Sequence, residues 1–118
     1  MYKPTVRSVR RAYTQLNRLL FREQLPPSRA VTVKISYIKL PWWAYCQHRD
    51  CEGFRIHLLP RYRSRDFFIS ILAHEMVHID EYMRHQNMTH GPTFFRFRKI
   101  FHRNGILLKR AYGNLDLA

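Results

Sequence analysis

The sequence predicts a single α+β domain with an N-terminal helix, a small antiparallel sheet, a second helix and a following helix. Three observations carry this: a helical apolar stripe in the first quarter, period-two alternation in the second, and a return to helical spacing after residue 64. A chain of 118 residues and 14.4 kDa fits one domain, taken as residues 1–118.

Pro4 suits a first helical turn, and Val6, Val9, Tyr13, Leu16 and Leu20 then step by three and four. Arg7, Arg11, Arg18 and Arg22 fall on the opposite side of the same wheel, and Pro26-Pro27 is expected to end the helix. Val31 to Lys39 alternates as a half-buried strand does. Further extended pieces, Trp43–Gln47 and Phe54–Leu59, flank a turn at Asp50-Cys51-Glu52-Gly53. Ser64 can cap a second helix running from Phe67 to about Arg84. Residues 86–91 read as a loop, and Pro92 opens a third helix from Thr93 to about His102, stopped by Asn104-Gly105. The tail from Ile106 is expected to pack back as a strand or short helix.

Composition narrows the function. Hydrophobic residues at 46% exclude wholesale disorder. The net charge of +13 excludes a protein built to bind polycations. Arg supplies 16 of the 21 cations, and its planar fork matches phosphate oxygens in pairs, which points towards nucleic acid. No apolar leader or spanning segment is visible, so an intracellular location without membrane association is expected. Cys46 and Cys51 read as free thiols. A Cys46/His48/Cys51 knuckle lacks a fourth ligand at a familiar spacing.

The chemistry sits in His74-Glu75-Met76-Val77-His78. Residues four apart share a helix face, so both imidazoles can reach one zinc ion. Glu75, one position round the wheel, is placed to take a proton from water that the metal has acidified. A catalytic zinc uses three protein ligands plus water. His85 lies seven residues past His78, about 10.5 Å along the axis, too far on an unbroken helix. Glu81 suits a hydrogen bond to an imidazole or a basic side chain better than a place on the metal. His90, beyond a short loop and fixed by Gly91-Pro92, is therefore the expected third ligand.

His74-Glu75-Met76-Val77-His78 followed by His90-Gly91-Pro92-Thr93-Phe94 resembles the SprT-like/Spartan metalloprotease domain. Leu16–Phe21, Leu25-Pro26 and Ile56-His57-Leu58 extend the similarity over most of residues 10–105. The resemblance implies a zincin-like fold, His74, His78 and His90 as ligands of one Zn²⁺, and Glu75 as general base. It also implies hydrolysis of proteins associated with or crosslinked to DNA. Bacterial members often append a Cys-rich zinc ribbon, which these 118 residues lack. DNA affinity is then expected from Arg-rich surfaces, namely Arg7, Arg11, Arg18, Arg22, Arg96, Lys99 and Arg103, or from another chain. Tyr37, Tyr45 and His48 are unranked candidates for stabilising the oxyanion. The competing reading is a non-catalytic, metal-stapled basic module of a nucleoprotein or virion assembly.

Overall fold

The computed structural model describes residues 1–39, 41–89, 94–109 and 111–112. Helix α1 spans Val6–Phe21. Thr5 caps it in a reciprocal box: its hydroxyl accepts from Ser8 N at 3.0 Å, while Ser8 Oγ accepts from Thr5 N at 2.8 Å. The predicted stripe is buried from Val9 onward, but Val6, in the first turn, is 46% exposed. The helix also stops five residues before Pro26. Arg22 and Glu23 adopt left-handed backbone conformations, and the buried Asn17 amide clamps the reversal. Its Nδ2 donates to Leu25 O at 3.1 Å, and its Oδ1 accepts from Leu25 N at 3.2 Å.

The strands are β1 (Val31–Ile35), β2 (Ala44–Arg49) and β3 (Gly53–Leu58), in the order β1-β3-β2. The expectation of an antiparallel sheet is corrected here: β2 and β3 are antiparallel, but β1 runs parallel to β3. The tight hairpin, with Gly53 at φ 75°, fixes the β2–β3 direction. β3 buries Phe54, Ile56 and Leu58 and takes the centre, leaving β1 to pair with its other edge. β1 is shorter than the alternation suggests. Ser36 N donates to Leu58 O at 3.0 Å, and β3 offers no further strand partner beyond that residue.

Helix α2 spans Arg65–His85, with Ser64 Oγ accepting from Phe67 N at 3.1 Å and Gln86 closing it in a left-handed conformation. Every residue from Ile71 to Glu81 is buried, so α2 is the central helix. α1 and α2 share a core with the sheet face formed by Val31, Phe54, Ile56 and Leu58. Fully burying each such side chain is worth about 1.5–3 kcal/mol.

The third helix differs in detail from its expected form. Thr93 lies outside the described residues, Phe94–Phe97 is a 3₁₀ turn, and α3 proper is Arg98–Arg103. Phe97 and Phe101 pack against Phe21, with ring centroids 4.9 and 6.2 Å away, which brings the end of α1 beside α3. After Gly105, Ile106 and Leu108 are buried without regular structure; residues 110 and 113–118 lie outside the described part. The whole is one compact α+β domain, with a Cα radius of gyration of 13.2 Å. Among the described residues, no helix is long and apolar enough to cross a membrane.

Candidate metal centre

Helical spacing brings His74 and His78 together on α2, with ring centroids 5.0 Å apart and the planes at 76°. Each imidazole is oriented through Nδ1. His74 Nδ1–H donates to the carbonyl oxygen of Lys109 at 2.9 Å, and His78 Nδ1–H donates to Glu81 Oε1 at 3.0 Å. A carbonyl oxygen can only accept, so the first bond requires the proton on Nδ1 and leaves a lone pair on Nε2 when the ring is neutral. A carboxylate does the same for His78. Two neutral imidazoles, each backed through Nδ1, are the donor set a zinc ion takes, and in chemistry these residues fit it.

Glu81 itself is 2% exposed, and its Oε2 accepts from the Thr89 hydroxyl at 3.0 Å. It therefore joins the His78 ring to the start of the following loop, the hydrogen-bonding part its sequence position suggested. Phe94 packs on both rings, 4.9 Å from His74 and 5.2 Å from His78. His90 lies outside the described residues, as do Gly91 and Pro92. Among the described residues, no three His, Cys, Asp or Glu side chains form a group able to hold a metal. His85 is exposed at the last turn of α2.

Glu75 is buried and lines a cleft of about 640 Å³ together with His74 and His78. Burial alone pushes its carboxyl up to about 8, because a charge there loses its hydration. The opposite wall is Trp43, Ala44, Tyr45 and Cys46, where the chain enters edge strand β2. Burial, with Glu75 adding its charge, holds the Cys46 thiol well above its ordinary range. Both cysteines are free.

The three oxyanion candidates part company. Tyr37 is 78% exposed. His48 stacks on Tyr82 at 4.2 Å, facing α2. Tyr45 borders the cleft, but its hydroxyl is engaged on the other sheet face, 2.6 Å from His57 Nδ1. Two site residues had no signal in the sequence. The Lys109 carbonyl is backbone, and Tyr112, 5.4 Å from the His74 ring, sits in a tail with no periodicity.

Arg7, Arg11 and Arg18 are exposed along α1 and Arg22 at its C-cap, and Arg96, Lys99 and Arg103 are exposed on the 3₁₀ turn and α3. Arg18 lies 3.5 Å from Glu23, an exposed pair of little energetic weight. The Phe21–Phe97 contact places the two groups on adjoining elements. No protein-family model matches this chain, and no curated protein matches it significantly in sequence.

Proposed function

We propose that this chain is a zinc-dependent metalloprotease acting on peptide bonds of DNA-associated proteins. The observation that carries the reading is the pair His74 and His78, each fixed through Nδ1, beside a buried Glu75 in an open cleft. His90 is the proposed third ligand. The chain on either side of it supports this: Thr89 bonds Glu81, and Phe94 packs on both imidazoles. A bound zinc ion would supply Lewis acidity towards the scissile carbonyl and an acidified water.

The protein's own groups have distinct tasks. Glu75, whose ionised form a cation bound beside it would favour, takes a proton from the attacking water and returns it to the leaving amine. Its low-dielectric surroundings strengthen that interaction. The Lys109 carbonyl and Glu81 hold the two rings in one tautomer and orientation. Edge strand β2 borders the cleft, and its outer backbone edge suits an extended peptide added as a further strand. The charge of +13 and the similarity to SprT-like proteases support DNA as the setting of the substrate.

The test is hydrolysis of a protein held on DNA, compared with the same protein free. Zinc-loaded wild type should cleave, and Glu75→Gln should lose activity by about 10²-fold or more while keeping its metal. Equal rates for the two would overturn the general-base role. A site with four protein ligands and no cleavage would instead support the metal-stapled module.

A further inference from the structure

We infer that the sheet face turned away from the helices is a binding platform for single-stranded nucleic acid. The register defines this face. One row across the sheet is Thr32, Arg55 and Gln47; the next is Lys34, His57 and Tyr45; Arg49 stands at the hairpin end. The intervening positions, including Phe54, Ile56 and His48, point the other way, into the core or onto α2. Thr32, Lys34 and Arg49 are exposed, Arg55, Gln47 and Tyr45 are half-buried, and His57 is buried.

No carboxylate occupies a strand position on this face. In the hairpin turn Glu52 lies 3.6 Å from Arg49 in an exposed pair. Burial first, then the charges of Lys34 and Arg55, lower the affinity of His57 for a proton. A polyanion fits such a face by charge.

The aromatic groups decide which polyanion. Tyr37 and Trp42, 78% and 49% exposed, are large rings left in solvent at one end of the face. Trp42 meets Tyr45 edge-on at 5.9 Å, and the Tyr45 hydroxyl is held by His57, itself 2.8 Å from Ser36 Oγ. Exposed rings beside cations are what unstacked bases and their phosphates bind, whereas a duplex hides its base faces. The platform ends at Trp42 and Tyr45, which also border the cleft. A strand lying on it would thus run to the mouth of the candidate metal centre. The binding argument is independent of hydrolysis and of the cations on α1 and α3.

The experiment measures fluorescence anisotropy of a labelled oligothymidylate of roughly 15 nucleotides, and of a duplex of equal length, with the full chain carrying Glu75→Gln. The oligothymidylate should bind more tightly than the duplex. Combining Tyr37→Ala with Trp42→Ala should weaken the single strand by about tenfold or more and the duplex by less than about threefold. Lys34→Glu with Arg55→Glu should weaken the single strand and flatten its salt dependence. Ultraviolet crosslinking of the same oligonucleotide to a chain with native Tyr37, Trp42 and Tyr45 should label peptides containing them, a readout that no folding defect can confound. The proposal is overturned if single strands do not bind, if the aromatic variant binds within about twofold of its parent, or if crosslinks fall only on α1 and α3.

Discussion

Glu81 Oε1 accepts the Nδ1 proton of His78 at 3.0 Å, while its second oxygen accepts from Thr89 at 3.0 Å, so one buried carboxylate ties α2 to the loop that leads to His90. Such a bond fixes a ligand's tautomer and raises its basicity.

Glu81→Gln keeps the shape of the side chain but loses the charge and, through the amide, one acceptor. Zinc affinity, measured by competition with a chromophoric chelator, should fall by about 10–100-fold while the helical circular dichroism is unchanged.

Zinc should also stabilise the fold. Stripping the ion with a chelator should lower the melting temperature, and adding zinc back should restore it. In His78→Ala the melting temperature should no longer respond to zinc.

The reversal after α1 rests on Asn17, whose amide satisfies both backbone groups of Leu25 within a buried site. Asn17→Ala leaves those groups unpaired. It should cost about 1–3 kcal/mol in urea unfolding, more than any exposed Arg substitution on the same helix.

His57 gives a pH signature. Burial, Lys34 of β1 and Arg55 of β3 favour its neutral form, Ser36 opposes them, and Tyr45 of β2 bonds its other nitrogen. Its NMR titration midpoint should lie below 6.5, and Lys34→Met should move it upward. A folded-state value below the unfolded one means the native state binds fewer protons. Stability from this group is therefore complete above about pH 6.5 and is lost as pH falls through the folded value.

The sequence made the elements legible wherever their period was strong. α1 and α2 carry apolar residues at helical spacing and have side-chain caps at Thr5 and Ser64, so both were readable within a few residues. The end of α1 was not, because it is made by a side-chain clamp at Asn17 rather than by Pro26. Strand direction was not legible either. Alternation identifies which residues of β1 face the core, but it is the same for parallel and antiparallel neighbours. At the site, His74, Glu75, His78 and the hydrogen-bonding part of Glu81 followed from helix geometry. The carbonyl of Lys109 could not have, since it comes from 35 residues away and carries no side-chain signature.

The most direct test is a crystal structure of the zinc-loaded chain with anomalous scattering recorded at the zinc edge. The account predicts one ion bonded to Nε2 of His74 and His78 and to His90, with water in the remaining position. An ion elsewhere, or His90 far from a metal held by His74 and His78, would contradict it.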